Sequence, residues 1–240
     1  MNKSLKIRNY LLILKWQKKE EERSLSGIYY QGGNIPKHAF IDSCVIANWI
    51  ILNEKIKEND SKKEEILKEK REHNATLYNS YEFVSAVKNK EFSDWVFYIS
   101  ELSWVEITHT LFKKLVERLM FLRELPLHQY ESCVRDIKID QADIKKLIDA
   151  TTNFPNEFPK NLLKIKYPVC GILPLLGDAN SLILLSRCKT QDAFLLSEAK
   201  NLSCTHFITV ERRLPEDKIK ENKEIIVINP RTFYLEFRKK

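Results

Sequence analysis

A chain of 240 residues, 43% of them hydrophobic, can bury a full core, and only 5 Gly and 8 Pro exclude low-complexity sequence and a loop-rich all-β fold. A net charge of +7 and a pI near 9.0 favour an anionic partner, of which nucleic acid is the commonest. The cysteines (Cys44, Cys133, Cys170, Cys188 and Cys204) form no CxxC pair, and no histidine lies at zinc-finger spacing, which excludes a zinc module and fits reduced thiols in a cytoplasm.

Residues 1–36 read as an N-terminal extension. It is basic and aromatic through Lys3, Lys6, Arg8, Tyr10, Lys15 and Trp16, and closes on the turn cluster Gly32-Gly33-Asn34 before Pro36. It is either a nucleic-acid-contacting arm or an element docked on the main domain. Its apolar run at 10–14 is too short for a signal sequence or a bilayer span, so no membrane partner is expected. The main domain, 37–240, opens with a strand at 38–41 that ends in Asp42. A mainly apolar helix follows through Val45, Ile46, Trp49, Ile50 and Leu52; Asp42 is either its N-cap or a carboxylate poised at the strand end.

Residues 54–93 read as a helical insertion. The first part, 54–73, is a solvated helix with Glu58/Lys62 and Glu64/Lys68 at i,i+4, and 76–90 is a more apolar helix. A buried strand at 94–99 leads through 100–104 into a long helix with Leu111, Leu115, Leu119 and Leu122 as its core stripe. Glu106 is placed in that helix's first turn, where it either closes a capping box on Ser103 or projects as a free carboxylate. Residues 125–175 are irregular or helical, with one helix at 142–151 and prolines at 155, 159, 168 and 174. Gly177-Asp178 caps a helix through 182–185.

Thr190 is the expected N-cap of the next helix, which places Asp192 in its first turn. Ala193, Phe194, Leu195, Leu196, Ala199 and Leu202 cover most of its circumference, the mark of a deeply buried helix. After a turn at 201–205, residues 206–210 form a short buried strand with Glu211 at its carboxyl end. A last strand at 224–228 precedes a helix opened by Pro230 and carrying Phe233, Tyr234 and Phe237.

Strands near 38, 95, 206 and 225, alternating with helices, predict an α/β fold: a mostly parallel central sheet with helices on both faces, plus helical insertions. The acids Asp42, Glu106, Asp192 and Glu211 recur at strand ends and helix starts, the edge where open α/β sheets bind ligands. Carboxylates gathered there repel one another, and a hard divalent cation relieves the repulsion. Water retained on magnesium can attack phosphorus while the charge on phosphate is shielded. His109, one turn after Glu106, either approaches a phosphate or is a partly buried helix histidine.

The segments FIDSCVIANWI, ISELSWVEITHTL, KTQDAFLLSEAKNLSCTHFITVERR and IIVINPRTF resemble the successive motifs of a PIN-domain nuclease. The resemblance covers roughly 37–53, 94–123 and 178–235, and the DAFLLSEA segment with FITVE is its most specific part. It implies a metal-dependent endoribonuclease acting on an RNA substrate, with magnesium or manganese held by Asp42, Glu106 and Asp192 and supported by Ser43 and Thr209. Glu211 stands where the family usually has Asp, so it falls to a second ion or to orienting the water. In-line attack would leave a 5′-phosphate and a 3′-hydroxyl. Such proteins are commonly toxins paired with an antitoxin, homodimers among them, while others process ribosomal RNA. A non-catalytic RNA-binding or scaffold protein on the same fold is the alternative, and a phosphatase is disfavoured because Asp42-Ser43-Cys44-Val45 lacks a paired Asp. The 54–93 insertion is expected to be dispensable for metal binding.

Overall fold

The computed structural model describes residues 37–166, 179–180, 182–184, 189–211 and 225–238. The 1–36 extension, the expected helix start at Gly177-Asp178, Glu224 and the basic end at Lys239-Lys240 lie outside the described residues. Strands β1 (Lys37–Ile41), β2 (Trp95–Ser100), β3 (Leu163–Lys166), β4 (His206–Ile208) and β5 (Ile226–Ile228) form one all-parallel sheet of order β3-β2-β1-β4-β5. Of these, β3 falls in the 125–175 stretch expected to be irregular or helical. With only four residues and two lysines it lacks the apolar run that marks a central strand, and it needs none because it closes an edge.

Because β1 has a parallel neighbour on each side and both faces covered, Ala39, Phe40 and Ile41 are fully buried. The pleat sends alternate side chains to opposite faces. Phe40 stacks on Phe207 with ring centroids 5.6 Å apart, and both pack with Tyr98 against helix α7 (Thr190–Asn201) through Ala193, Leu196 and Ala199. Leu182 and Ile183, in a helical stretch, add to the same cluster. On the other face Ala39, Ile41, Phe97, Ile99 and Ile208 meet α1 (Ser43–Glu58), α3 (Ala75–Lys88), α4 (Glu101–Leu122) and α8 (Pro230–Phe237). The expected α/β layering is therefore present, with helices on both faces.

The 54–93 segment is not peripheral as a whole. Helix α1 runs on to Glu58, a 3-10 turn spans Asp60–Lys62, and only α2 (Lys63–His73) is a surface helix, burying Ile66 alone. Helix α3 belongs to the core: Phe83 lies 5.8 Å from Phe97 and 5.5 Å from Phe233, ring centre to ring centre. Removing 54–93 would take α3 out of the core on that face of the sheet, so the segment is not an insertion as a whole, and metal binding is no longer expected to survive its loss. Glu58 pairs with Lys146 at 3.1 Å rather than with Lys62, because the 3-10 turn breaks the i,i+4 spacing.

The stripe on α4 also differs from expectation. Ile107 and Leu111 face the sheet-side core, then Val116 and Met120 turn onto a separate cluster with Ile137, which leaves Leu122 66% exposed. One helix serves two partners, so no single straight stripe describes it. Helix α5 (Tyr130–Cys133) completes that outer cluster, and α6 (Gln141–Asn153) matches the helix expected at 142–151. Among the described residues no helix is long and apolar enough to cross a membrane.

Candidate active site

The strand order reverses beside β1, with β2 and β3 on one side and β4 and β5 on the other. The crevice outside the carboxyl ends of β1 and β4 is where such sheets take ligands. Asp42 follows β1 and Thr209 follows β4, and the Asp42 backbone N–H donates to the Ile208 carbonyl at 3.0 Å. Asp42 occupies the N-cap position of α1 by its backbone, but its side chain caps nothing. It accepts instead from Thr209 Oγ1 at 2.5 Å, Cys44 Sγ at 2.7 Å and Ser43 Oγ at 3.2 Å. These hydrogen bonds offset the burial of a carboxylate only 6% exposed.

Ser100, not Ser103, is the N-cap of α4, and Ser103 closes the capping box. The helix thus begins three residues earlier than the Ser103–Glu106 box requires. Glu106 lies in the second turn and is free of any capping duty. Its pKa is pushed up to about 7 by burial, with a hydrogen bond with Ser43 opposing the rise and the charges of Asp42, Asp192 and Glu198 adding to it. Ser43 is shared between the two acids: it donates to Asp42 at 3.2 Å, and its hydrogen bond with Glu106 opposes the rise that burial causes.

Helix α7 begins with Thr190 as its first helical residue and Lys189 as N-cap, one residue earlier than expected, with no side-chain cap. Asp192 stays in the first turn. Burial raises its pKa, Asp42 and Glu211 repel it further, and Lys189 opposes the rise. Helix α7 ends at Asn201, and Ser203, with φ 53°, turns the chain into β4. Paired strand stops at Ile208, two residues short of the expected 206–210, so Glu211 lies just past the ladder. Its backbone N–H donates to Thr209 Oγ1 at 3.0 Å, and its carboxylate lies 3.9 Å from Lys189 Nζ. Ser43 and Thr209 thus both hydrogen-bond Asp42, whereas His109 is exposed on α4.

Sequence reasoning passed over three groups. Lys189 brings a cation beside Asp192 and Glu211. The Cys44 thiol, pushed well above its ordinary range by burial and by Asp42, is an unreactive donor to that carboxylate. Glu198 is 6% exposed, with Oε2 lacking a hydrogen-bond partner among the described residues and the carboxyl group hydrogen-bonded by Ser100. Burial and Glu101 raise its pKa while Ser100 opposes, so Glu198 stays neutral to higher pH than a solvated acid. Its signal in the sequence was a charge inside the apolar run LLSEA of a helix buried around most of its surface.

No family model, curated protein or solved structure matches the chain. The function is therefore argued from the site itself. Its donor set suits a hard divalent cation: oxygen ligands, mutually repelling charges, and protons that a cation would displace. Among the described residues no three His, Cys, Asp or Glu side chains are already drawn together as a ligand set. Asp42, Glu106 and Asp192 feel one another's charge without forming such a set.

Proposed function

We propose that the protein is a metal-dependent endoribonuclease hydrolysing RNA phosphodiester bonds. The observation that carries this reading is the mutual electrostatic strain of Asp42, Glu106 and Asp192 at the carboxyl end of the sheet, beside the point where strand order reverses. Magnesium or manganese, held by Asp42, Glu106 and Asp192, would shield phosphate charge and lower the pKa of water. Thr209, Cys44 and Ser43 fix the Asp42 carboxylate in one orientation. Glu106 releases its proton near neutral pH. Lys189 offers a positive charge to a phosphate oxygen, and Glu211, tethered beside it, orients the attacking water. In the hydrolysis, water loses a proton as its oxygen bonds phosphorus. The bond from phosphorus to the 3′-oxygen breaks, and that oxygen takes up a proton, leaving a 5′-phosphate and a 3′-hydroxyl. The net charge of +7 favours the approach of a polyanion.

The test is incubation of a panel of structured RNAs with the full chain, with magnesium, manganese or neither. The reading expects metal-dependent fragments carrying 5′-phosphate and no fragments from the Asp192→Asn protein. Equal cleavage by Asp192→Asn, or cleavage unaffected by chelation, would contradict it. RNA binding without cleavage under every condition would move the reading to the non-catalytic alternative.

A further inference from the structure

We propose that a cavity beside the carboxylates is a nucleobase-reading subsite; the proposal rests on the RNA reading above. The cavity has a volume of about 330 Å³, large enough for a nucleoside. It opens between the start of α3 and the carboxyl ends of β4 and β5. Thr209 and Glu211 form its wall toward the active site, and the same Thr209 hydroxyl donates to Asp42 at 2.5 Å. A nucleotide whose phosphate sits at Asp42 therefore has its neighbouring base within reach of the cavity.

Chemistry narrows the ligand. Among the described residues no lysine or arginine lines the cavity, and Glu211, with Lys189 3.9 Å from it, is the charged side chain there, so the described lining is mostly neutral. Val227 and Pro230 give apolar surface for the face of a ring. Thr76, Asn79 and Asn229 supply neutral polar groups for its edge. The Asn79 amide and the Thr76 hydroxyl make no hydrogen bond among the described residues, so Asn79 offers a donor and an acceptor side by side. The Asn229 carbonyl oxygen is engaged by the Thr232 backbone N–H at 2.9 Å, which leaves its NH₂ as a donor. A flat, neutral ligand with both donors and acceptors on its edge is a nucleobase, and paired donor–acceptor contacts from an asparagine discriminate among bases.

The experiment uses the full chain and two readouts. In the first, adenosine, cytidine, guanosine and uridine 5′-monophosphates are titrated into isotope-labelled Asp192→Asn protein while the side-chain amide signals are followed by NMR. At least one nucleotide should shift the Asn79 and Asn229 signals, with the four differing in affinity. In the second, wild type and Asn79→Ala cleave a randomised RNA pool with magnesium, and the fragments are sequenced. Wild type should prefer one base next to the cut by about tenfold, and Asn79→Ala should reduce that preference to less than about twofold. An unchanged melting temperature checks that Asn79→Ala is folded. Absence of any amide shift, or an unaltered base profile in Asn79→Ala, overturns the proposal while leaving the nuclease reading intact. Amide shifts without cleavage of any RNA would sink the nuclease reading and support the base site.

Discussion

The two ends of the central sheet obey opposite rules. At the amino end the strands begin under packed rings: Trp95 lies 4.7 Å from Phe233, 4.9 Å from Phe237 and 5.1 Å from His206, centroid to centroid. Even the imidazole there is held toward its neutral form, chiefly by burial and then by Lys37. At the carboxyl end each of the three central strands runs into a buried polar residue: Asp42 after β1, Ser100 ending β2 and Thr209 after β4. Rings at one end gain from burial, whereas Glu106 and Asp192 at the other are raised in pKa by it. The lesson is that one end stabilises the fold and the other stores repulsion that a ligand can relieve.

Substitutions at the two ends should separate accordingly. The largest effect on turnover is expected at the acids: Asp42→Ala and Asp192→Asn should each lower single-turnover RNA cleavage by at least about a thousandfold, beyond the tenfold to hundredfold scale of outer support. Asp192→Asn should melt no lower than wild type without metal, because it removes repulsion; Asp42→Ala should melt lower, since it orphans the donors now meeting that carboxylate. Phe233→Ala, at the amino end, should do the reverse. A cost of about 3–5 kcal/mol in denaturant unfolding is expected, with cleavage per folded molecule retained at low temperature. Loss of cleavage in a folded Phe233→Ala protein would erase the distinction between the ends.

Glu211→Ala tests how far the acidic end extends. Ordering a glutamate costs up to roughly 1 kcal/mol more side-chain entropy than ordering an aspartate, and Glu211 is tethered through Lys189 rather than packed. A tenfold to hundredfold loss in single-turnover cleavage is expected. Inactivity equal to Asp192→Asn would make it a full ligand, and wild-type turnover would leave the site with three acids. Glu198→Gln should give the smallest effect. The folded protein holds the Glu198 proton to higher pH than the unfolded chain, so this group's stabilising contribution falls as pH rises above the ordinary glutamate range. The glutamine variant should therefore melt above wild type at pH 8 and level with it at pH 4 by calorimetry.

Much of this was legible in the sequence where one residue has one role. The apolar runs around Phe40, Phe97 and Phe207 mark central strands, and Pro230 after Asn229 marks a helix start. Legibility failed where a residue could serve two neighbours. Ser100 and Ser103 each offer a capping hydroxyl, and only tertiary structure decides that Ser100 begins the helix, which moves Glu106 out of the cap. The amphipathic pattern of 76–90 shows a helix but not that its apolar face lies on the sheet, so a core element passed for an insertion. Edge strand β3 is short and half charged, and its pairing with β2 is set by long-range contacts that no local pattern encodes.

The central claim is that Asp42, Glu106 and Asp192 converge on a divalent cation, and the most direct measurement is the melting temperature of the full chain titrated with manganese and magnesium at pH 6 and pH 8. An ion that binds only the folded state stabilises by about 2.7 kcal/mol at a hundred times its dissociation constant, roughly 5–10 °C for a domain of this size. Binding must displace the proton that Glu106 holds up to about pH 7, so the account predicts a clear upward shift at pH 8, a smaller one at pH 6, and little in Asp192→Asn. No shift at millimolar manganese and magnesium at either pH, or an equal shift in Asp192→Asn, would contradict it.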